Sequence, residues 1–430
     1  MARTVGHVAG TFSDPMRKVD QGPGERVDRK ALINRSAIPL NEPQQARHRI
    51  AMVGNLAETL LGFRGELIKD MVRAGHEVYA FATNYSRKTE RAILAMGAIP
   101  VKYQMGRLNT NPVADLISTW QLCRLFKSYN ISLTFCFFTK PSIWGTLAAS
   151  MAGVSVRVAK IEGMGRVFTN GPKGSGLRKR LLQSVVNLLF RFSLPKAHHV
   201  LVLNRDDQQD LQNLGIKKPL PTMIGGIGVC LDRYSFNPPV ADPVRFIFVG
   251  RLIREKGIRY FLDAARSLKN RYPDVEFIVL GAPDEKHGIS KHEMKQLAAE
   301  NIITYPGTVD NVVPWLAESS VFVLPSYYRE GVPRSTQEAL AMGRPVITTD
   351  MPGCRETVEH EVNGYLVKPH NQHELEEAML KLIRNPGLIA PMGEASYKLA
   401  RERFNVREIN QKILSTLGLA TAEQAAGKRY

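Results

Sequence analysis

Short apolar runs and longer amphipathic segments alternate along most of this chain. The apolar runs are rich in valine, isoleucine, leucine and phenylalanine, and each precedes a segment with apolar residues at helical spacing. Such alternation predicts strands buried on both faces of a parallel sheet, with a helix leading from each strand to the next. The pattern pauses over residues 219–243 and then restarts. It therefore predicts two successive doubly wound α/β domains.

The predicted elements follow from that pattern. Strands are expected over residues 50–54, 78–83, 99–103, 133–138, 156–161 and 200–203, and then over 245–249, 275–280, 302–305, 321–324, 346–349 and 364–367. Helices are expected over residues 63–75, 112–129, 143–152, 257–272, 290–300, 374–384 and 392–417. Ligands of doubly wound sheets bind beyond the carboxyl ends of the strands, so the loops at those ends are where chemistry is expected.

The same pattern sets the predicted domain boundaries. Residues 1–46 are polar and without apolar periodicity, which is typical of a disordered tail. An N-terminal domain is expected over residues 47–222, a linker or hinge over 223–243 where prolines and glycines cluster, and a C-terminal domain over 244–395. Residues 396–430 are expected to form a helix that can pack back on the N-terminal domain, followed by a tail.

Composition narrows the kinds of partner. The chain has 430 residues, 44% of them hydrophobic, which is enough for two domains with cores. Its formal net charge of +18 indicates an anionic partner, and nucleic acid, an anionic membrane and a phosphorylated substrate all fit that charge. The four cysteines lie far apart without a C-x-x-C pair, as in reduced cytosolic proteins. No run approaches the roughly 20 apolar residues of a membrane span, so a cytoplasmic protein without a transmembrane anchor is expected.

The stretch VFVLPSYYREGVPRSTQEALAMGRPVITTD, residues 321–350, concentrates the candidate chemistry. A predicted strand opens into a polar loop carrying Glu330, and a helix containing Glu338 follows. Ser335 or Thr336 is predicted to cap that helix, whose free N–H groups would attract a phosphate. Glu338 lies about one turn into the helix, within reach of a ribose hydroxyl beside that phosphate.

Other strand-end loops supply possible partners. In VGRLIREKG, residues 249–257, Gly250 allows a sharp turn, and Arg251 and Lys256 place two cations beside it, which suits a diphosphate. The loops 281–288 and 305–311 are candidates for holding a nucleobase through backbone groups. The loop 55–64 has no G-x-G-x-x-G spacing, so it is either an ordinary strand–helix connection or a substrate loop.

Together these motifs resemble a known family. VGRLIREKG, PSYYREGVPRSTQEALAMGRPVITTDMPGCRETV and NGYLV are similar to the C-terminal half of family 4 glycosyltransferases, over roughly residues 245–366. The subgroup that it most resembles extends lipid-diphosphate-linked sugars in bacterial polysaccharide or glycan assembly. TKPSIWG and IEGMGRVF, in the N-terminal half, resemble acceptor-side loops of that subgroup. The resemblance implies a GT-B fold, with two Rossmann-like domains facing a central cleft, and transfer with retention of anomeric configuration.

The resemblance also implies roles for particular residues. Arg251 and Lys256 would hold the donor diphosphate, Glu330 would contact the donor sugar, and Glu338 would bind the ribose. The catalytic candidates are thus Glu330, Arg251 and Lys256. The full set of donor-binding candidates is Arg251, Lys256, Glu330, Gly331, Val332, Pro333, Arg334, Ser335 and Glu338. The acceptor-side candidates are Asn55, Lys140 and Glu162, each with a structural or solvated role as the alternative.

The chemistry expected of these residues is metal-independent. Sugar–diphosphate cleavage builds negative charge on the leaving phosphate, and fixed positive groups stabilise that charge as it forms. The chain contains no D-x-D motif, and no cofactor is expected beyond the donor substrate itself. In this family, retention is often explained by front-face attack, in which the leaving phosphate takes the proton of the acceptor.

The segment from Gly176 to Lys196 is both basic and amphipathic. Leu177, Leu181, Val185, Leu188 and Phe192 recur at helical spacing, next to several arginines and lysines. One interpretation is a helix that lies on an anionic membrane, which would place the protein peripherally at the inner face of the cell membrane. The other is a core helix that packs on the N-terminal sheet and has a solvated basic end.

The predicted function is therefore a retaining hexosyltransferase that uses a nucleotide sugar, with a UDP-sugar favoured by the subgroup resemblance, and a lipid-diphosphate-linked saccharide acceptor. The alternatives within the fold are a GDP-mannose-dependent mannosyltransferase and a GT-B epimerase or phosphorylase. A nucleic-acid-binding protein is suggested by charge alone. It is disfavoured because the basic residues are not interleaved with stacking aromatic residues.

Overall fold

The computed structural model of the protein describes residues 47–106, 111–171 and 176–419. The predicted disordered tail over residues 1–46 and the end of the chain from residue 420 lie outside this range. Among the helices in these residues, none is long and apolar enough to cross a membrane.

The first sheet has seven parallel strands in the order β3-β2-β1-β4-β5-β6-β7. Its strands are β1 (Arg49–Val53), β2 (Glu77–Ala82), β3 (Ile99–Lys102), β4 (Leu133–Phe137), β5 (Val156–Ile161), β6 (His199–Val202) and β7 (Thr222–Met223). The central strands are buried along nearly their whole length because helices cover both faces of the sheet. The order reverses next to β1, which puts a ligand-binding crevice at the carboxyl ends of β1 and β4.

Six helices connect these strands. They are α1 (Ala57–Arg73), α2 (Arg87–Ala95), α3 (Pro112–Ser128), α4 (Thr146–Met151), α5 (Leu177–Ser193) and α6 (Arg205–Asn213). α1 and α2 pack on one face of the sheet, and α3, α4 and α5 pack on the other. A π-helical turn over Pro141–Gly145 precedes α4, where the sequence predicted regular helix from residue 143.

The second sheet has six parallel strands in the order β10-β9-β8-β11-β12-β13. Its strands are β8 (Arg245–Val249), β9 (Glu276–Leu280), β10 (Thr304–Gly307), β11 (Val321–Leu324), β12 (Val346–Thr349) and β13 (Gly364–Val367). The helices of this half are α7 (Ile258–Arg271), α8 (Lys291–Ala299), α9 (Val313–Ala317), α10 (Arg334–Ala341), α11 (Gln372–Arg384) and α12 (Ile389–Arg403). The prediction of two doubly wound parallel sheets is confirmed.

The end of the described chain returns to the first sheet. The single helix expected over residues 392–417 is wrong: α12 ends at Arg403, and a second helix, α13 (Val406–Thr416), starts after Asn405, whose side chain accepts from the Arg407 N–H at 3.1 Å. Ile409, Ile413 and Leu414 of α13 are buried in the same cluster as the inner residues of α1.

The start of α1 is a second departure from the prediction. The helix begins at Ala57 rather than Phe63, and the Ala57 N–H donates to the Asn84 side chain at 2.9 Å. Asn84 follows β2, so this helix end is satisfied by a residue that is distant in sequence. Local sequence patterns do not contain such information.

Candidate active site

The loops after β8 and β11 are in direct contact at the carboxyl edge of the second sheet. Gly257, with φ of 78°, ends the first of these loops. A Cβ atom at this position would lie 2.0 Å from the Pro325 carbonyl oxygen. Glycine is therefore required for the loop of Arg251 and Lys256 to lie against the loop of Glu330.

Lys256 and Glu330 form an ion pair between these two loops. Their side chains are only 12% and 11% exposed, so this pair lies in a largely water-excluded position. The Ser326 hydroxyl lies 3.2 Å from Glu330 Oε1 and also 3.2 Å from the Glu255 carbonyl oxygen, and it can donate to one of them at a time. Arg251 is exposed nearby, with its guanidinium 5.8 Å from the centre of the Tyr328 ring. The structure thus brings the three predicted catalytic residues to one place.

The start of α10 differs from its predicted form. The helix begins at Arg334 with Pro333 as the preceding cap residue, and no side chain caps it. The expectation that Ser335 or Thr336 caps the helix is wrong, because both residues lie inside the first turn. Without a cap, the N–H groups of that turn remain available to an anion. The expected anion-binding helix start therefore rests on backbone groups alone.

Glu338 is held by two side chains. Its Oε1 accepts from Arg334 Nε and from the Tyr234 hydroxyl, each at 2.9 Å. Burial, followed by the charge of Glu338, raises the pKa of Tyr234 to about 12, so this hydroxyl remains a donor at neutral pH. Arg334 also donates to the Gly62 carbonyl of α1 and lies 5.5 Å from the Phe63 ring centre. The carboxylate predicted to bind a ribose thus lies within a network that includes the first half of the chain.

Gly331 and Val332 connect the Glu330 loop to its surroundings. The Gly331 carbonyl accepts from the Asn204 side chain at 2.6 Å, and the Val332 carbonyl accepts from Gln337 at 3.0 Å. Gln337 also accepts from the N–H of Gly228, at 2.9 Å, in the predicted hinge. Gln337 was not identified from the sequence, although it lies between the two glutamates of the motif. Its amide ties the hinge to the start of α10.

A set of contacts across the two halves was also missed by sequence reasoning. Arg329, next to Glu330, donates to Asp207 at 3.1 Å and to Asp210 at 2.5 Å. Arg166 pairs with Glu255 at 3.0 Å. The partners of each pair come from different halves of the chain, so no local pattern identifies them. They hold the Glu330 loop against α6, and the loop after β8 against the loop that follows β5.

The acceptor-side candidates lie in different environments. Glu162 is buried, and its carboxylate pairs with Arg64 of α1 and with Lys160, whose Nζ lies 3.4 Å away. Lys140 pairs with Asp115 at 2.7 Å and donates to the Gly106 carbonyl at 2.9 Å. These ion pairs favour the structural alternative for both residues.

Asn55 follows β1, and its carbonyl oxygen accepts from the Thr83 N–H at 2.9 Å. Its side-chain Oδ1 is buried and has no hydrogen-bond partner among the residues that the structure describes. The buried carboxylate oxygens of Glu162 also lack a hydrogen bond within the described part of the chain, but they face the two cations Arg64 and Lys160, whereas Asn55 Oδ1 has no such ion pair. Such an atom is costly unless a ligand or water satisfies it.

The two candidate nucleobase loops are joined to each other. The Tyr305 hydroxyl donates to the Gly281 carbonyl at 3.0 Å, and the Gly281 N–H donates to the Gly307 carbonyl at 2.9 Å. The loop after β9 is therefore bonded to β10 on one side and, through the Leu252 N–H and the Ala282 carbonyl, to the loop of Arg251 on the other.

The apolar stripe predicted on the basic segment faces outward. Leu177, Leu181, Val185, Leu188 and Phe192 of α5 are between 46% and 84% exposed. The helix packs inward through its opposite face, where Phe190 is buried. The helix thus packs on the first sheet, as the core-helix interpretation expects, but through a face other than this stripe.

A second outward apolar stripe, on α3, was not identified from the sequence. It consists of Val113, Leu116, Ile117 and Trp120, each at least 57% exposed. The Arg124 guanidinium lies 4.7 Å from the Trp120 ring centre. Because α3 and α5 pack on the same face of the first sheet, that face carries two apolar stripes with basic residues beside them.

Two family models match the chain, one in each half. A glycosyl transferase 4-like domain matches residues 63–225, and the glycosyl transferases group 1 domain matches residues 243–385.

Similar proteins cover most of the chain. It is 26% identical over 356 residues to the N,N'-diacetylbacillosaminyl-diphospho-undecaprenol alpha-1,3-N-acetylgalactosaminyltransferase of Campylobacter jejuni, across 79% of this chain and 90% of that protein. It is 23% identical over 287 residues to the UDP-Gal:alpha-D-GlcNAc-diphosphoundecaprenol alpha-1,3-galactosyltransferase of Escherichia coli, across 64% and 72% of the respective chains.

Solved structures share the architecture. Anabaena HepE, in complex with UDP-glucose, superposes with a TM-score of 0.68 at 18% identity, covering 87% of this chain and all of that one. A sucrose-phosphate synthase from Thermosynechococcus elongatus also gives 0.68, at 20% identity, covering 86% of this chain and 98% of that one. At these identities the likeness establishes the fold alone, which is the expected GT-B architecture.

Proposed function

Because the chain belongs to the group 1 glycosyltransferases, the retaining family 4 enzymes, and has relatives in polysaccharide biosynthesis, we propose that it moves a sugar from a UDP-sugar to a saccharide carried on a lipid diphosphate. The observation that carries the proposal is the Lys256–Glu330 ion pair, which joins the β8 and β11 loops beside an uncapped helix start. The names of the Campylobacter and Escherichia relatives, both of which specify a diphospho-undecaprenol-linked substrate, support the acceptor class.

In the proposed donor site, different residues bind different parts of the nucleotide sugar. Arg251, Lys256 and the first N–H groups of α10 stabilise the diphosphate, and Glu330 contacts the sugar. Glu338 binds the ribose hydroxyls, which donate to its carboxylate alongside Arg334 and Tyr234. Gly331 and the residues up to Ser335 supply the backbone of this site.

The proposed reaction breaks the bond between the anomeric carbon and the diphosphate oxygen. A hydroxyl oxygen of the acceptor forms the new bond on the same face of the sugar, and its proton passes to the leaving diphosphate oxygen. Negative charge therefore grows on the diphosphate, where Arg251 and Lys256 are already in position. Positive groups fixed in a partly water-excluded site stabilise such charge without reorganising during the reaction.

The proposal is tested with Glu330→Ala and Lys256→Ala. A donor is first identified by the nucleotide sugar that raises the melting temperature. Each variant is then assayed for UDP release in the presence of a polyprenyl-diphosphate-linked sugar. We expect transfer to fall by about 10²–10³-fold, the usual cost of losing one group that stabilises charge in the transition state.

The exposed Glu394 of α12 provides the control, since Glu394→Ala removes a carboxylate away from both loops. Melting temperatures of all variants separate loss of chemistry from loss of fold. Wild-type turnover in either Glu330→Ala or Lys256→Ala contradicts the proposal.

The proposal includes a membrane surface formed by α3 and α5. It is supported by the two outward apolar stripes and by the charges beside them, which include Arg178, Arg180 and Arg191 on α5. Apolar side chains that enter the lipid interface together with arginines that meet anionic head groups are typical of helices that lie on a membrane. A lipid-linked acceptor would then be presented at the face of the first sheet that carries both helices.

A further inference from the structure

A basic cavity of about 210 Å³ lies between the two halves of the protein, beside the proposed donor site. The loop after β5 and the first turn of α5 form one side, and the loops after β8, β9 and β11 form the other. The lining residues are Arg166, Thr169, Gly171, Lys179, Arg254, Glu255, Lys286, His287 and Tyr327.

The charges around this cavity are strongly unbalanced. Of the described residues that line it, four are lysine or arginine and one, Glu255, is a carboxylate. Glu255 is already engaged by Arg166 at 3.0 Å, and the Lys179 ammonium donates to the Thr169 carbonyl. The side chains of Arg254 and Lys286 are exposed at the opposite wall. A cavity with this excess of cations favours a multiply charged anion.

The loop after β9, which lines this cavity with Lys286 and His287, is held in place by its own carboxylate. Asp284 accepts from the backbone N–H groups of Lys286 at 3.1 Å and His287 at 2.8 Å, and its carboxylate lies 3.3 Å from His287 Nδ1. The carboxylate is therefore occupied by its own loop, which it holds in place. The ammonium group of Lys286 is therefore available to a ligand in the cavity.

The cavity is distinct from the proposed donor site. Arg251, Lys256 and Glu330 do not belong to its lining. The helical turn Arg254–Lys256 separates the two sites, since Lys256 turns toward Glu330 whereas Glu255 turns toward Arg166. One short turn thus supplies cations to two neighbouring anion sites.

We propose that this cavity binds the diphosphate of the lipid-linked acceptor, an inference that rests on the proposed function. Lys179 lies in the first turn of α5, where the exposed apolar stripe begins at Leu177. A diphosphate whose lipid is held along α5 reaches the cavity directly. The saccharide attached to that diphosphate then extends toward Glu330, and the reacting hydroxyl meets the donor sugar.

The experiment uses farnesyl diphosphate as the probe and calorimetry on the full chain. Binding is measured with UDP at saturating concentration, so that the donor site is filled, and again without UDP. Lys286→Glu and Arg254→Glu each place a negative charge in the cavity wall, and the exposed Lys295 of α8 provides the control Lys295→Glu. We expect binding of the probe in the presence of UDP, weakened about tenfold by each cavity variant and unchanged by the control.

Two results overturn the proposal: displacement of farnesyl diphosphate by UDP, which assigns the probe to the donor site, or equal affinity in the cavity variants and the control. A failure of the proposed function looks different. If neither UDP nor any UDP-sugar binds, the proposal of a UDP-sugar donor is wrong. The effect of Lys286→Glu on farnesyl diphosphate binding still tests whether the cavity binds a diphosphate.

Discussion

Glu162 neutralises two buried cations at the carboxyl end of β5. Lys160 is fully buried, and burial together with the charge of Arg64 lowers its pKa well below the usual value. Burial also lowers the pKa of Arg64 to about 9. The carboxylate is shared by both cations, so its removal leaves two charges in a site with little water. Residues of this kind are needed for the fold even though they border a candidate active site.

Glu162 and Lys160 are expected to differ in their effect on stability. Glu162→Gln should lower the free energy of unfolding by about 3–5 kcal/mol, because it leaves uncompensated buried charge. Lys160→Met removes one of the two cations and should cost much less. Urea unfolding of both variants measures the difference. A larger loss in Lys160→Met than in Glu162→Gln would mean that the lysine, rather than the carboxylate, holds this cluster together.

Because of the pKa of Asp207, the stability of the protein is expected to depend on pH. Burial raises its pKa to about 6, against the opposing charge of Arg329, whereas the unfolded carboxyl titrates near 3.8. Between these values the folded protein keeps a proton that the unfolded chain has released. The contribution of protonated Asp207 to the free energy of unfolding is therefore fully present below about pH 4, and it is lost as the pH rises to about 6.

Asp207→Asn does not titrate and isolates this effect. The unfolding free energy of the wild type, minus that of Asp207→Asn, should fall by up to about 3 kcal/mol between about pH 4 and pH 6. Asp263→Asn, at an exposed aspartate, is the matched control substitution. If this difference in unfolding free energy rises with pH instead, folding lowers the pKa of Asp207 rather than raising it.

Individual site residues could be predicted where each one stands in a distinctive motif. Lys256 and Glu330 were recognisable because each stands in a loop with a distinctive spacing, and the structure pairs them. Arg329 was not recognised, because its partners Asp207 and Asp210 come from the other half of the chain. For Glu162 the sequence left a structural role open as the alternative, because the burial that pairs it with Arg64 is a property of the folded protein.

At the scale of single elements, α5 illustrates what periodicity leaves undetermined. Helical spacing identified the stripe from Leu177 to Phe192, but spacing does not say which face of a helix meets the sheet. The helix has apolar residues on two faces, and Phe190 and its neighbours are the ones that pack inward. The helix start of α10 was likewise misread, because serine and threonine favour capping positions in general.

The exposed stripe of α5 is expected to bind lipid. Leu188→Glu, at a position 67% exposed, should lower sedimentation with vesicles that contain phosphatidylglycerol, because burial of a leucine contributes about 1.5–3 kcal/mol. The matched control is Leu220→Glu, at a leucine that is 61% exposed outside both helices. Melting temperatures should change little in either variant. Equal sedimentation of both variants and the wild type would remove α5 from the proposed membrane surface.

For the molecule as a whole, the two halves meet through polar contacts and close backbone packing. Gly163, in the loop after β5, has φ of 89°, and a Cβ there would lie 2.5 Å from the Gly331 backbone nitrogen. Arg355 reaches Asp206 at 2.9 Å at another point of the same boundary. Such contacts place the Glu330 loop relative to the first sheet, so the site depends on the arrangement of both halves.

Gly163→Ala should disturb that arrangement more than it disturbs the fold. Gly153 has a similar φ of 74° but has no atom within 4 Å of the position of an added Cβ. Both Gly163→Ala and Gly153→Ala carry the left-handed strain of about 1–2 kcal/mol, and only the former pushes the halves apart. We expect kcat/KM to fall in Gly163→Ala alone, with a larger radius of gyration by small-angle scattering. Equal kinetics in the two variants would show that this contact does not set the active geometry.

The overall fold was predictable because its signals are local and repeated. Most strands of the two sheets are short apolar runs, and their alternation with helices predicts a parallel arrangement. The two-residue strand β7 lies where the apolar pattern pauses and was not predicted. The break between α12 and α13 was not predictable in this way. It depends on backbone bonds of Phe404 and Val406 to Val229, at 2.8 and 3.1 Å, which a distant segment supplies.

The position of α13 has a consequence for how the protein is made. Synthesis on the ribosome produces the first sheet and α1 early, and α13 comes only after the whole second sheet. Until then Leu60 and Leu67 of α1 lack the part of their buried cluster that Ile409, Ile413 and Leu414 of α13 supply. The nascent first half therefore remains incompletely folded until then, and it exposes apolar surface of the kind that chaperones recognise. Completion of the N-terminal half is thus timed by the translation of the C-terminal one.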